Sequence, residues 1–93
     1  MSVEGHEPID WDRITFARAR VLREIEDHRA EREIADKLQM TYNGVRSQID
    51  ELKSITGCSD LRALGRWWRD NRPAWLAWCD RQARVVREEG AGA

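Results

Sequence analysis

The sequence predicts an all-α fold, in which a core of four helices is followed by an additional Trp-rich helix at the C-terminus. Three observations lead to this prediction. Apolar residues recur at spacings of three and four along the chain, and almost no segment shows the alternation of a strand. Pro73 is the only proline after residue 8, so little in the sequence interrupts a helix. The 93 residues are 41% hydrophobic and 35% charged, which is typical of one ordered domain.

Capping residues place the ends of the predicted helices. Thr15, Thr41 and Ser59 are suited to begin helices, because their hydroxyl oxygens can accept a hydrogen bond from a free backbone N–H. Gly57 is suited to end the third helix, and Pro73 fits the first turn of the fifth, where no N–H is needed. The predicted helices span residues 16–28, 31–38, 42–54, 60–71 and 73–88.

Charge is distributed unevenly along the chain. The net charge is −1, but residues 1–12 hold four carboxylates and neither Lys nor Arg, which leaves +3 on the other 81 residues. We therefore expect an acidic, flexible N-terminal tail beside a mildly basic domain. The expected segments are a tail, a main helical domain, a C-terminal amphipathic helix and a disordered end, at residues 1–12, 13–72, 73–89 and 90–93.

Residues 14–64 carry five short motifs in one register. The first two are the pair Ile14 and Thr15 and the apolar pair Val21 and Leu22. Residues 33–38 read Glu-Ile-Ala-Asp-Lys-Leu, and residues 40–49 read Met-Thr-Tyr-Asn-Gly-Val-Arg-Ser-Gln-Ile. Residues 57–59 read Gly-Cys-Ser and are followed by a leucine at position 64. In this combination and order the segment resembles the LuxR-type (GerE-type) helix-turn-helix family of DNA-binding domains.

The resemblance implies that the third helix is a recognition helix that enters the major groove of DNA. Its apolar stripe turns inward, which leaves the opposite face free to contact base edges. The positions that the resemblance assigns to base reading are Arg46, Ser47 and Asp50. The residues expected at DNA phosphates are Arg32, Thr41, Asn43 and Lys53.

Several positions depart from the family's pattern, among them Ile55 and Thr56, which replace the usual Lys-Leu. His28 and Gln39 stand where the family often has Gly, Ala30 where it has Ser, and Gly44 where it often has Thr. Loss of a cap at Ala30 would cost about 1 kcal/mol. A Gln at positive φ would cost about 1 kcal/mol as well. We expect these departures to affect the turn and the strength of base reading more than the fold.

The predicted fifth helix has two adjacent apolar stripes, more apolar surface than a small core can cover. A second copy of the chain is the simplest cover, so we expect a homodimer. The alternative is that this helix folds back on the fourth and its tryptophans fill the core of a monomer. The residues predicted at the dimer or partner interface are Trp75, Leu76, Trp78, Cys79, Ala83 and Val86.

Together these features predict a cytoplasmic transcription regulator that binds double-stranded DNA as a homodimer, without a cofactor or a metal. The near-neutral charge and the Trp-rich end favour an alternative, a helix-turn-helix module that binds RNA polymerase or another regulator instead of DNA. No nucleophile motif, phosphate-binding loop or metal-ligand cluster is visible in the sequence, so we do not expect an enzyme. No run of 18 apolar residues occurs, so we expect no membrane partner.

Overall fold

The computed structural model describes residues 9–91, with side chains through residue 85, and this part of the chain contains helices and no strands. The all-α prediction is confirmed. A single 3₁₀ turn, Trp11–Arg13, precedes four α-helices. The helices are α1 (Phe16–Glu26), α2 (Glu31–Leu38), α3 (Tyr42–Thr56) and α4 (Leu61–Ala91). Within residues 9–91, no helix is both long enough and apolar enough to cross a bilayer.

Two of the predicted N-caps are confirmed and one is wrong. The Thr15 hydroxyl oxygen accepts a hydrogen bond from the Arg18 N–H at 3.2 Å, and that of Thr41 accepts one from the Gly44 N–H at 2.9 Å. At the start of α4 the cap is not Ser59. A carboxylate oxygen of Asp60 accepts the bond there, from the Ala63 N–H at 2.8 Å. A carboxylate is as good an N-cap as a hydroxyl, and the shift moves the helix start by one residue.

The core lies where the apolar faces of the four helices meet. α1 packs mainly against α4, and α2 packs mainly against α3. Three buried residues of α3 are spaced four and three apart, as predicted, so this helix turns one face to the core and the other to solvent. The most deeply buried side chains are Val21 and Leu22 of α1, Ile34 of α2, Val45, Ile49 and Leu52 of α3, and Leu64 and Trp68 of α4.

The fourth and fifth predicted helices are one continuous helix, which corrects the prediction of a break at Pro73. A proline inside a helix costs about 3 kcal/mol, because the carbonyl four residues earlier loses its donor. Here Pro73 and Arg69 are both exposed, so water can reach that carbonyl. Leu64, Trp68 and Trp75 lie on the same face and are all buried. The continuous helix places these three side chains in one core, and this packing offsets the cost of the proline.

Trp75 is part of the chain's own core, which makes its predicted place in a dimer or partner interface wrong. Its side chain is 5% exposed, and its indole N–H donates to the backbone carbonyl of Ile14 at 2.9 Å. The ring also contacts Trp68, with a centroid separation of 5.5 Å. For these two tryptophans, the alternative that they fill the core of a single chain is what the structure shows.

Each of the two segments predicted to be flexible includes residues that the structure places in a regular element. The carboxylate of Asp10 accepts a hydrogen bond from the Asp12 N–H and caps the 3₁₀ turn, within the segment 1–12 predicted to be a tail. Trp11 packs against Trp67, with 6.2 Å between ring centroids. At the other end α4 continues through Ala91, two residues into the segment 90–93 predicted to be disordered. Residues 1–8 and 92–93 lie outside the described residues.

Candidate nucleic-acid interface

A tight turn joins α2 to α3 and sets the angle at which α3 leaves the core. Gln39 adopts φ 57°, and the Met40 N–H donates to the carbonyl of Ala35 at 2.9 Å. The Gln39 N–H donates to the carbonyl of Asp36, which completes a Schellman end to α2. Thr41 then caps α3 directly, so only three residues separate the two helices. This is the helix–turn–helix geometry that the sequence motifs predict.

The outward face of α3 carries all three residues that were assigned to base reading. Arg46, Ser47 and Asp50 are exposed, and they project from the side of α3 opposite its buried stripe. Of the four residues expected at phosphates, three are exposed and Lys53 is half-buried. The Thr41 hydroxyl already accepts the cap bond, but its hydrogen remains free to donate to an anion.

Tyr42, the first residue of α3, holds two of these arginines together. The guanidinium carbon of Arg32 lies 4.4 Å from the centre of the Tyr42 ring, and that of Arg46 lies 5.8 Å from it. The Tyr42 hydroxyl donates to a carboxylate oxygen of Glu31 at 3.2 Å, which fixes the ring against α2. Two cations from different helices therefore share one aromatic ring at the start of α3.

Sequence reasoning did not assign Tyr42 a role. The spacing contains the necessary signal, because Tyr42 and Arg46 are four residues apart on one helix face. The contact with Arg32 is different in kind. It depends on how α2 crosses α3, so only the structure reveals it.

Two acidic residues on α3 would oppose a nucleic-acid backbone, and the fold offsets one of them. The Glu51 carboxylate faces the guanidinium of Arg13 at 3.6 Å and that of Arg18 at 4.0 Å. Arg18 is itself held in place, since its Nε donates to the Gln48 side chain at 2.9 Å. Asp50 is exposed and forms no ion pair within the described part of the chain. The negative charge near the recognition face is therefore concentrated at Asp50.

A buried carboxylate positions α2, and sequence reasoning missed it. Glu24 of α1 is 6% exposed, and its carboxylate forms ion pairs with the Arg29 guanidinium at 2.8 Å and with the Lys37 ammonium at 3.1 Å. These contacts tie the end of α1 to the following loop and to α2. Glu24 lies three residues after Val21, on the buried face of α1, and that spacing could have identified it.

The fold leaves only part of the predicted partner surface on α4 exposed. Leu76 and Ala83 are exposed, Trp78 and Cys79 are half-buried, and the side chain of Val86 lies outside the described ones. Burial raises the pKa of the Cys79 thiol, which favours its neutral form. Both cysteines are free. Of the predicted stripe, Leu76 and Ala83 are therefore the residues that remain exposed to a partner.

The described side chains form no group of three or more His, Cys, Asp or Glu residues that could hold a metal ion. No protein-family model, curated protein or solved structure matches this chain. A functional assignment must therefore be argued from the residues and geometry described above.

Proposed function

We propose that the protein is a transcription regulator of the cytoplasm, which binds double-stranded DNA sequence-specifically with α3 in the major groove. One observation carries this proposal. A helix that follows a three-residue turn has one face buried and the other carrying Arg46, Ser47 and Asp50, all exposed. A major groove about 12 Å wide admits a helix presented in this way.

Each residue has a chemical role in this proposal. Arg46 is suited to donate two hydrogen bonds to O6 and N7 of guanine, and Asp50 can accept one from N4 of cytosine. Ser47 can donate or accept. Arg32 and Lys53, with the polar groups of Thr41 and Asn43, are placed for phosphates and would fix the register on the duplex.

The resemblance to LuxR-type domains gains physical support from two backbone angles. His28 and Gln39 occupy positions where that family often has Gly, and they adopt φ 65° and φ 57°. Gly is favoured at positive φ because it has no Cβ to clash. In the register given by the motifs, two positions where the family often has Gly coincide with the two non-Gly residues of positive φ within residues 9–91.

We propose further that the protein binds DNA as a homodimer, through the outer part of α4, residues 80–85. Residues 80–85 are all exposed, and this stretch includes Ala83 of the predicted interface. A two-fold dimer would present two recognition helices to one duplex and favour a pseudo-palindromic site.

The test of DNA binding is a titration of the full chain against duplex DNA at two salt concentrations. With about four phosphate contacts per protomer, affinity should fall roughly a hundredfold between 50 and 200 mM salt for one bound protomer and about 10⁴-fold for a bound dimer, because bound counterions are released on binding. A library of random duplexes, enriched over several rounds, should converge on one sequence. If no duplex binds at low salt, the proposal is wrong, and the alternative of a module that binds RNA polymerase or another regulator takes its place.

A further inference from the structure

A groove of about 380 Å³ lies between α1 and α4, away from the proposed recognition face. Phe16 and Arg20 of α1 and Trp75 and Leu76 of α4 are among the residues that line it. Arg18 reaches the side chain of Gln48 on α3. Successive residues of a helix are rotated by about 100°, so Arg20 points roughly opposite to Arg18. No residue of α3 lines the groove, so the groove does not include the outward face of that helix.

The floor and walls of this groove are apolar and partly open. Phe16 is 73% exposed and Leu76 is 52% exposed, and both belong to the small set of large apolar side chains that the described chain leaves open. The Phe16 ring meets the edge of Trp75, with 5.6 Å between centroids, and Trp68 lies beside Trp75 beneath them. Aromatic and aliphatic side chains gathered in this way are typical of surfaces that receive a partner's apolar residues.

The rim of the groove is positively charged. Arg20 and Arg23 are exposed, and neither forms an ion pair within the described part of the chain. A third guanidinium on the rim, that of Arg72, is shared with the carboxylate of Glu26 at 2.9 Å. A partner that fits must therefore carry apolar residues for the floor and carboxylates for the rim.

A second copy of this chain fits the rim poorly. In the exposed stretch of α4, residues 80–85, Arg84 pairs with Asp80 at 2.6 Å, and Arg81 is left as the one guanidinium there without an ion pair in the described part of the chain. Another copy's α4 would bring this net positive charge against Arg20 and Arg23. Like charges brought together oppose association, so charge complementarity favours an acidic partner.

We propose that the groove between α1 and α4 is a docking site for an acidic, amphipathic segment of another protein. The segment would present apolar residues at helical spacing to Phe16 and Leu76, with Asp or Glu on its flanks facing Arg20 and Arg23. This is helix-in-groove recognition with electrostatic selection. The inference does not depend on DNA binding, because none of these residues belongs to the recognition face.

The test uses the ¹⁵N-labelled full chain and a synthetic peptide with leucines at helical spacing and glutamates on both flanks. Amide shifts should change within residues 16–23 and 68–76. Reversing the rim with Arg20→Glu and Arg23→Glu should weaken the peptide's affinity about tenfold or more, whereas Arg62→Glu, an exposed charge reversal elsewhere on α4, should change it less than twofold. Phe16→Ala, a second and separate variant, should also weaken binding several-fold.

Four outcomes would overturn the proposal. A peptide of the same composition in shuffled order could bind equally well, which would mean that no groove selects it. The shifts could fall outside the two segments. The groove amides could shift with protein concentration alone, which would identify a second copy as the occupant. A single-stranded oligonucleotide could shift the groove amides while the acidic peptide does not.

Discussion

At the start of α3, two arginines depend on one tyrosine ring for their position. Arg32 and Arg46 come from different helices, and both guanidiniums lie within 6 Å of the Tyr42 centroid, at 4.4 and 5.8 Å. Stacking limits the number of conformations that an arginine side chain explores, so less entropy is lost when it binds. The Tyr42 hydroxyl donates a hydrogen bond to the Glu31 carboxylate, which helps to hold the ring in place. The arrangement therefore orders two guanidinium groups before a polyanion binds.

Arg46 and Lys53 lie on the same helix but should behave differently when removed. Arg46→Ala should weaken binding of the preferred duplex by about 1–3 kcal/mol and relax the preference at one base position. Lys53→Ala should weaken all duplexes about equally, because a phosphate contact carries no sequence information. Competition assays with single-base variants of the preferred site measure both effects. Arg62→Ala, at an exposed site near the start of α4, is the control, and equal small losses for Arg46 and Lys53 would show that Arg46 reads no base.

Ala30 begins α2 without the side-chain oxygen that this position usually supplies. The Glu33 carboxylate accepts from the Ala30 N–H at 2.8 Å, which is one half of a capping box. Ala30→Ser would supply the other half and should raise the free energy of unfolding by about 1 kcal/mol. Urea denaturation measures the change. Ala74→Ser, at an exposed site within α4, should instead lower stability slightly, and equal effects at both sites would contradict the capping argument.

Among the helices, α4 shows the limit of structure prediction from local sequence. The caps at Thr15 and Thr41 are formed by residues three apart, so the sequence predicts them directly. The bond from Trp75 to the carbonyl of Ile14 joins residues 61 apart in the chain, and no local pattern reports it. The same long-range packing fixes the continuity of α4 through Pro73. The outward residues of α3 were predictable because they follow from its buried stripe, whereas the Arg32–Tyr42 contact required the crossing of two helices.

Replacing Pro73 distinguishes a continuous helix from two helices. In a continuous α4, Pro73→Ala restores a backbone donor to the Arg69 carbonyl and should raise the free energy of unfolding by about 1–3 kcal/mol. In the two-helix arrangement Pro73 would stand in a first turn, where proline is favourable, and alanine would bring no gain. Chemical denaturation followed by tryptophan fluorescence measures the change. Unchanged or reduced stability would contradict a continuous helix.

As a whole, the molecule is flat and elongated rather than spherical. Its extents are 46 × 41 × 19 Å, and its radius of gyration is 15.2 Å, whereas a compact chain of this length has about 12 Å. A 31-residue helix alone is about 46 Å long, so α4 extends beyond the core that it helps to form. The exposed residues 80–85 belong to this extension, and Val85 is 47% exposed.

The extension of α4 should hold two copies together, with Ala83 small enough to let the two helices approach. Light scattering of the full chain should then give twice the chain mass of 10.9 kDa.

Ala83→Glu should convert the dimer to a monomer, because it would bury two carboxylates at one contact. Ala77→Glu is the matched control, since Ala77 is exposed, lies outside residues 80–85 and is turned about 120° from Ala83 around α4, so the same change there should leave the dimer intact. Recognition helices about 34 Å apart, one DNA turn, would also make the dimer bind a two-half-site duplex far more tightly than a half-site, and the Ala83 variant should lose that difference. A full chain that scatters as a monomer at all concentrations, or a dimer that Ala83→Glu leaves unchanged, would rule out this interface.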